Sequence, residues 1–400
     1  MLQICSTELC TGCMACINVC THDAIRIIYD SAGFKYPSIR RDVCIECGAC
    51  KKVCPINSFP KKEKTRVCYA VTVKDNTEIL LSASGGALTA LSSYVLKCKG
   101  IVYGCSGKDM QHVKHVRVSK EEDLFQLRGS KYVQSDIGFV YREVKDDLHK
   151  GLFVLFVGTP CQVSGLKGYL RIDYDNLITA DIVCHGVPSQ NILNDNINLY
   201  QKHFKRRLDI STIHFREKIL YKDNITGEKS LKIEYGFYFN LKDCQKTEVR
   251  NKYPNDAYIL GFIRGLFLRN SCYQCSYACA NRVSDFTFAD FWGIGDNVKI
   301  NIDNGVSAVL VNTPKAEILF EKLKKYICYE RRDVQEAING NGRLQNPTKR
   351  HINHDLFYNL YPNIGLKNSV RICLFRDWLG FKKKAFIEYL ISMKIIQNNR

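Results

Sequence analysis

The sequence has 400 residues, of which 46% are hydrophobic and 24% are charged, as in globular proteins with a substantial core. These fractions exclude general disorder, and no apolar run reaches the roughly 18 residues that a membrane-spanning helix needs. The net charge of +18 favours an anionic partner, such as nucleic acid, a membrane surface or an acidic protein. The N-terminus lacks a signal-peptide pattern and the chain holds 20 cysteines, so we expect a cytoplasmic protein whose thiols bind metal or clusters.

Two runs of cysteines with the same C-x2-C-x2-C-x3-C spacing lie in the first 60 residues. They are Cys10, Cys13, Cys16 and Cys20, and then Cys44, Cys47, Cys50 and Cys54. In such runs the first three thiolates bind one 4Fe–4S cluster and the fourth binds the other cluster. Cys54 is therefore expected to complete the first cluster and Cys20 the second. Residues 1–60 resemble bacterial two-cluster ferredoxins. Two zinc knuckles are the alternative, but zinc sites use paired C-x2-C arms with a longer spacer.

A strand, a Ser/Gly turn and a helix follow the polar linker at 60–64. The apolar run Cys68–Val73 predicts a strand, and the turn Ser84-Gly85-Gly86 precedes a helical pattern over Ala87–Cys98. The next strand is predicted at Ile101–Tyr103. Because free N–H groups converge at a helix N-terminus, the turn suits an anion, although a simple N-cap is the alternative.

Two continuous apolar runs, Gly151–Gly158 and Leu177–Val183, predict buried strands of an α/β sheet. Cys161 follows the first of these strands and Cys184 follows the second, each just before a predicted helix. Open α/β sheets bind their ligands beyond the carboxyl ends of the strands, so both thiols are placed as site residues. Further strands are predicted at Thr212–Arg216 and Glu234–Phe239.

Several motifs occur together along the chain. In order they are Ser84-Gly85-Gly86, Gly129–Ser135, Gly158–Gln162, Cys184-His185-Gly186, and Cys272-x2-Cys275 followed by Asp290–Gly293. This set resembles the β-subunit family of coenzyme F420 hydrogenases and dehydrogenases, fused behind a two-cluster ferredoxin, over about residues 1–315. The resemblance implies FAD, a further 4Fe–4S cluster in the large domain, and oxidation or reduction of a substrate at the flavin.

The third cluster needs four thiolates in one pocket. Cys161 and Cys184 come from strand ends, and Cys272 and Cys275 form one C-x2-C arm, which makes these four the predicted ligands. The resemblance supports the same set. Cys279, four residues after Cys275, is the alternative to Cys184.

The resemblance also implies the flavin contacts. The backbone of Ser84, Gly85 and Gly86 would meet the pyrophosphate, and Ser130, Lys131, Tyr132 and Gln134 match the second flavin-contacting segment of the family. Lys131 would supply positive charge to a phosphate or to the flavin ring, with a solvated surface lysine as the alternative. His185 is predicted either as a proton donor near the substrate or as a hydrogen-bond partner behind the site.

We therefore expect an α+β and α/β protein with a dicluster ferredoxin fold and an α/β flavin- and iron–sulfur-binding domain. Its regions are a ferredoxin domain over 1–60, an FAD-binding region over 66–145, a third-cluster region over 150–320 and a basic helical tail over 321–400. The tail has apolar spacing around Phe386, Leu390 and Met393, which suits contact with an anionic membrane surface or, alternatively, a solvated helix.

The predicted function is that of an iron–sulfur flavoprotein oxidoreductase. An acidic ferredoxin or flavodoxin would give electrons to the clusters, and FAD would pass them to an organic acceptor. A non-catalytic electron-transfer subunit of a larger redox complex is the main alternative. A nucleic-acid-binding protein is disfavoured, because the basic residues are scattered and no nucleic-acid-binding motif appears.

Overall fold

The computed structural model describes residues 3–222, 229–242, 248–381 and 383, and the predicted pattern around Phe386, Leu390 and Met393 lies outside them. The α-helices of the described residues are α1 (Ala15–Val19), α2 (Ala49–Lys52), α3 (Asn76–Leu81), α4 (Ala87–Lys97), α5 (Val140–His149), α6 (Pro160–Leu170), α7 (Gln190–Phe204), α8 (Ala257–Ile263), α9 (Pro314–Leu323), α10 (Val334–Gly340) and α11 (His354–Cys373). Short 3-10 helices cover Glu121–Leu127, Asn270–Gln274 and Gly342–Leu344.

The strands form three sheets in the described residues. They are β1 (Ile25–Tyr29), β2 (Lys35–Ile39), β3 (Val67–Val73), β4 (Ile101–Ser106), β5 (Lys114–Val118), β6 (Val154–Gly158), β7 (Leu177–Ile182), β8 (Leu208–Lys222), β9 (Lys229–Leu241), β10 (Glu248–Lys252), β11 (Phe286–Asp290), β12 (Ser307–Val311) and β13 (Ile327–Arg332). The largest sheet has the order β13-β3-β12-β11-β7-β6-β4-β5.

The centre of the large sheet is parallel. Strands β4, β6, β7 and β11 run in one direction, so their carboxyl ends share one edge. Strand β12 is antiparallel to both β11 and β3, and β3 therefore ends at the same edge. This confirms the prediction of buried strands in an α/β sheet, and it places the residues that follow β6 and β7 at one edge of that sheet.

Helices cover both faces of this sheet, because its strands are apolar on both sides. Along β6, Leu155 packs in a cluster with α4 and α9, whereas Phe156 packs on the opposite face with α5 and α6. Successive strand residues point to opposite faces, so a continuous apolar run such as β6 has to be buried on both. The mixed α/β architecture predicted from the sequence is thus observed.

The ferredoxin module is built from α1, α2 and the antiparallel pair β1–β2. It is packed into the body of the protein, since Met14, Ala15 and Val53 belong to the same apolar cluster as Val144 of α5 and Leu166 of α6. Arg142 of α5 also donates to the carbonyls of Asn18 and Cys20, both at 2.8 Å. These contacts hold the module against the face of the sheet that α5 and α6 cover.

A separate three-stranded sheet, in the order β10-β9-β8, packs on α7, α8 and α11. The predicted strands Thr212–Arg216 and Glu234–Phe239 lie within β8 and β9. Phe215, Phe237 and Phe357 are buried at the centre of this second core. Among the described helices, none has the length and apolar character needed to cross a membrane.

The region boundaries differ from the expected ones. Strand β4 of the expected region 66–145 pairs with β6 of region 150–320, so the two regions build one sheet. The described part of the expected helical tail contains β13, which pairs with β3 at the edge of that sheet. Its Ile327 is buried under α9, and its Tyr329 contacts Tyr69 and Phe320, which explains why this segment is a strand.

Candidate redox site

The first expected set of cluster ligands lines one small cavity in the ferredoxin module. Cys10, Cys13, Cys16 and Cys54 all face it, and all four are buried. Burial raises the pKa of Cys16, and the charges of the other three thiols raise it further. Such thiols ionise when a cationic metal centre compensates their charge. Cys5 lines the same cavity. The sequence did not predict this, because Cys5 lies outside both cysteine runs.

The second set lies closer to solvent. Cys47 is exposed, Cys44 and Cys50 are half-buried, and Cys20 is half-buried at the end of α1. Burial raises the pKa of Cys50, and the charges of Cys47 and Cys44 raise it further. The structure therefore places a solvent-facing cysteine set beside a buried one.

Cys161 lies in the first turn of α6, directly beyond β6. Thr159 caps this helix, with its backbone N–H donating to Gln162 Oε1 at 3.0 Å, and Pro160 occupies the first helical position. A capping box with proline at this position fixes where a helix starts. The local sequence thus holds the Cys161 thiol at the carboxyl edge of the sheet, where Thr159 Oγ1 lies 3.2 Å from it.

The structure brings Cys161, Cys184, Cys272 and Cys275 together. Burial raises the pKa of all four thiols. For Cys184 and for Cys272 the pKa is about 12. Within the four, each thiol interacts electrostatically with the other three. A Cβ on Gly186 would lie 3.2 Å from the Cys272 Cβ, so the loop after Cys184 contacts the Cys272 arm directly.

Cys279 takes part in a different set of contacts. Its Sγ donates to the carbonyls of Ser276 and Asn281 and accepts from Lys62 Nζ at 3.5 Å. Among the four proposed ligands, Cys275 is the one whose pKa is raised by the charge of Cys279. This geometry favours Cys184 over Cys279 as the fourth ligand.

The buried ferredoxin set adjoins the third set. A Cβ on Gly165 of α6 would lie 3.0 Å from Cys13 Sγ, and the charge of Cys13 contributes to the raised pKa of Cys161. Cys13 thus contacts α6, the helix whose first turn contains Cys161. The three sets follow one another from the solvent-facing cysteines through the buried ones to the carboxyl edge of the sheet.

A cavity of about 810 Å³ opens at this edge, beside the third set. Most of the residues predicted to contact a flavin or a substrate line it. These are Ser84, Gly86, Ser130, Lys131, Tyr132, Gln134 and His185, together with Cys161 and Cys184. Gly85 is the exception, because it is packed against β3: a Cβ there would lie 2.3 Å from the carbonyl oxygen of Val71.

The N-terminus of α4 forms one end of the cavity. Gly86 has φ +82° at the N-cap, where no side chain caps the helix, and Ala87, Leu88 and Thr89 also line the cavity. The first N–H groups of a helix have no partner within it and attract anions. Ser84 contributes through its backbone, since its hydroxyl donates to the carbonyl of Val306 at 2.8 Å.

Two of the predicted flavin-contacting side chains are engaged with protein groups. Lys131 Nζ donates to the carbonyls of Leu127 and Arg128, both at 2.8 Å, and to that of Gly129 at 3.1 Å. The Gln134 amide donates to Thr11 O at 2.9 Å and accepts from Arg269. Both side chains thereby shape the wall of the cavity and fix the adjoining backbone. This differs from the direct contact expected from the sequence, although the charge of Lys131 still faces the cavity.

His185 follows Cys184 in the cavity wall. Its Nε2 lies 3.1 Å from the carbonyl oxygen of Phe262, and burial lowers its pKa. Because a carbonyl only accepts, the neutral ring carries its proton on Nε2 and presents Nδ1 as an acceptor. A role as proton donor would therefore require prior protonation of the ring.

Sequence reasoning missed three arginines that line the cavity. Arg128 pairs with Glu78, Arg216 pairs with Asp290 at 2.8 Å, and Arg343 extends from the 3-10 helix Gly342–Leu344. Each has a buried nitrogen without a hydrogen-bond partner among the described residues: Nε of the first two and Nη1 of Arg343. No spacing motif marks them, since Arg216 occupies a strand and Arg343 falls in the segment expected to be a tail.

The cavity fits an anionic cofactor. Among the described residues that line it, Asp290 is the only acid, while Arg128, Lys131, Arg216 and Arg343 are cations. The pyrophosphate of FAD is a suitable anion for the N-terminus of α4 and the unpartnered nitrogen of Arg128. The cavity volume also lies in the range of cofactor sites.

Comparisons with known proteins support the iron–sulfur part of this description. Residues 153–337 match the family described as the C terminus of the coenzyme F420 hydrogenase/dehydrogenase beta subunit. Residues 9–58 match the 4Fe–4S dicluster domain. The fold and its cysteine sets thus define an iron–sulfur electron-transfer protein. The chain carries a domain of the coenzyme F420 hydrogenase/dehydrogenase β-subunit family behind a 4Fe–4S dicluster domain, which confirms the resemblance expected from the sequence.

Individual proteins similar to the chain include one curated relative and one chain of a solved structure. It is 27% identical over 207 residues to Uncharacterized protein MJ1349 of Methanocaldococcus jannaschii, a match that covers 44% of this chain and 56% of that protein. The chain thus spans about half the length of this relative. A chain of the F420-reducing NiFe hydrogenase complex from Methanosarcina barkeri is 16% identical, with a TM-score of 0.44 over 70% of this chain and 91% of that chain.

Proposed function

We propose that the chain is an iron–sulfur flavoprotein oxidoreductase that relays electrons from a ferredoxin-like donor through 4Fe–4S clusters to FAD and an organic acceptor. The observation that carries this proposal is the position of Cys161 and Cys184, which stand in the wall of a positively charged cavity. A compound bound in that cavity is next to two of the thiols proposed to hold the third cluster.

The proposed ligands fall into three sets. Cys10, Cys13, Cys16 and Cys54 hold one cluster; Cys20, Cys44, Cys47 and Cys50 hold another; and Cys161, Cys184, Cys272 and Cys275 hold the third. Iron–sulfur clusters supply single-electron transfer, and FAD supplies storage for one or two electrons. The cavity residues Gly86, Arg128 and Ser130 would bind FAD.

The arrangement of the cysteine sets suits inward transfer. Cys47 is exposed, whereas Cys13 is buried and contacts α6, the helix that carries Cys161. A protein donor therefore has access to the second set, and the first set lies between it and the cavity. This order is what a relay from an external donor to an acceptor bound in the cavity requires.

The test is anaerobic reconstitution of the full chain with iron, sulfide and FAD. Three clusters require about twelve iron atoms per chain. We expect that content, one tightly bound FAD, and turnover of an organic acceptor with an artificial one-electron donor. Full iron content without FAD would contradict the proposal and would favour the non-catalytic electron-transfer subunit.

A further inference from the structure

One wall of the large cavity combines three parts of the chain that are far apart in sequence. Asp290 ends β11, and its carboxylate accepts from Arg216 Nη2 of β8 at 2.8 Å. The backbone carbonyl of Asp290 accepts from Asn341 Nδ2 at 3.2 Å, and Asn341 directly precedes the 3-10 helix that carries Arg343. Arg216 and Arg343 are therefore linked through Asp290 and line the cavity together.

Both arginines retain unused donors in this wall. The Arg216 side chain is only 10% exposed, and its buried Nε has no hydrogen-bond partner among the described residues. Arg343 Nη1 is likewise buried without a partner, and no described acidic residue forms an ion pair with Arg343. Buried donors in proteins are nearly always satisfied, so the unused nitrogens point to a ligand group that accepts hydrogen bonds.

The chemistry of arginine specifies that group further. The guanidinium stays charged and presents a planar fork of donors that matches a carboxylate or a phosphate in a bidentate fashion. Aromatic side chains border the wall: Tyr235 stacks beneath Arg216, with 5.4 Å between its ring centre and the guanidinium, and Trp292 stands at the rim. This combination suits an organic molecule that carries an anionic group.

This wall is separate from the residues assigned to FAD. The cofactor's phosphates are accounted for by the N-terminus of α4 and by Arg128, which pairs with Glu78. Arg343 and His185 both line the cavity, and Arg343 is close enough for its charge to act on the His185 ring. The segment after Arg343 also contacts His185, whose backbone carbonyl accepts from Thr348 Oγ1. Arg343 also lies beyond residue 337, where the match to the family ends.

We propose that the organic acceptor carries a carboxylate or phosphate group, and that Arg343, supported by Arg216, binds this group beside His185. The inference rests on the proposed function, because it names the class of compound that the same cavity takes. Arg343 then selects the substrate, and it takes no part in holding FAD.

The experiment compares the reconstituted wild-type protein with Arg343→Met, Arg343→Lys and Arg331→Met. Arg331 is exposed on β13, so Arg331→Met makes the same charge change outside the cavity. Malonate and inorganic phosphate are titrated by calorimetry, with neutral malonamide as the uncharged probe. FAD content is measured in parallel, and circular dichroism checks that each variant is folded.

We expect malonate or phosphate to bind the wild type and Arg331→Met with similar affinity. Arg343→Met should bind the same anion at least tenfold more weakly with an unchanged FAD content, and Arg343→Lys should lie between them. Malonamide should bind none of them measurably. Unchanged anion affinity in folded Arg343→Met, or loss of FAD from it, would overturn the inference. A wild-type protein that binds malonate but no FAD would contradict the proposed function alone.

Discussion

Arg269 joins the ferredoxin module to the cavity wall. It is fully buried; its Nε donates to Cys10 O at 2.6 Å, and Nη2 donates to Lys35 O at 2.9 Å. Its Nη1 donates to Gln134 at 3.1 Å, and its guanidinium lies 4.3 Å from the ring centre of Tyr36. One side chain thus fixes a cluster loop, a strand and the segment that lines the cavity.

We expect Arg269→Met to lower the free energy of unfolding by about 2–4 kcal/mol, because it leaves buried carbonyls without their charged donor. It should also lower the reduction potential of the adjacent cluster, since a nearby positive charge favours the reduced state. Chemical denaturation and a potentiometric titration of the clusters would measure these effects. Arg41→Met, on the exposed surface of the same module, is the control and should change neither quantity.

The ligand assignment of the third cluster is also decided by single residues. Cys184→Ser should remove about four iron atoms per chain, because a cubane cluster needs all four thiolates. Cys279→Ser should leave the iron content unchanged, since that thiol faces Lys62 and two backbone carbonyls. Iron analysis with spectroscopy of the ferredoxin clusters tests both. The opposite pattern would assign Cys279 as the ligand.

Among the elements, the turn before α4 makes the most specific demand on its sequence. Gly86 has φ +82°, and a Cβ there would lie 2.9 Å from Val73 Cγ2. Gly86→Ala should cost about 1–2 kcal/mol in backbone strain and move the helix N-terminus that faces the cavity. We therefore expect this variant to lose most of its FAD while it keeps its iron.

Gly151→Ala separates the effect on the site from general strain. Gly151 has a similar φ of +76°, but a Cβ there meets nothing within 4 Å, and the residue is remote from the cavity lining. It should show comparable strain in thermal unfolding and normal FAD content. If Gly86→Ala retained stoichiometric FAD, the turn would be a helix cap only, and the flavin would have to bind near Ser130–Ser135.

The elements that sequence predicted well are those with a local signature. The apolar run of β6 and the cysteine spacings each depend on a few adjacent residues, and each appears where expected. The helix after β6 begins at Pro160, so Cys161 lies in its first turn and not before it as expected. The pairing of β13 with β3 and the approach of Arg343 to the cavity depend on contacts between distant segments. Local periodicity carries no information about such contacts. The sequence therefore predicted one helical tail where the described residues form a strand and helices.

At the scale of the whole molecule, charge and exposure are arranged around the second cysteine set. The chain carries a net charge of +18, and exposed Lys51 and Lys52 end α2 directly beside Cys50. Exposed Cys47 lies on the same part of the ferredoxin module. A basic surface next to an accessible redox centre attracts an acidic donor and raises its rate of association.

We therefore expect Lys51→Glu/Lys52→Glu to slow reduction of the protein by a reduced acidic ferredoxin about tenfold or more at low ionic strength, which is within the range of electrostatic steering. The wild-type rate should fall as salt is added, and the variant should depend on salt less, because screening removes the same attraction. Stopped-flow absorbance under anaerobic conditions measures both rates. Lys322→Glu/Lys325→Glu makes the same charge change at and after the end of α9, on the face of the sheet opposite the ferredoxin module, and should have little effect. Equal slowing by both pairs would mean that the donor responds to overall charge, and that the surface around Cys47 is not its docking site.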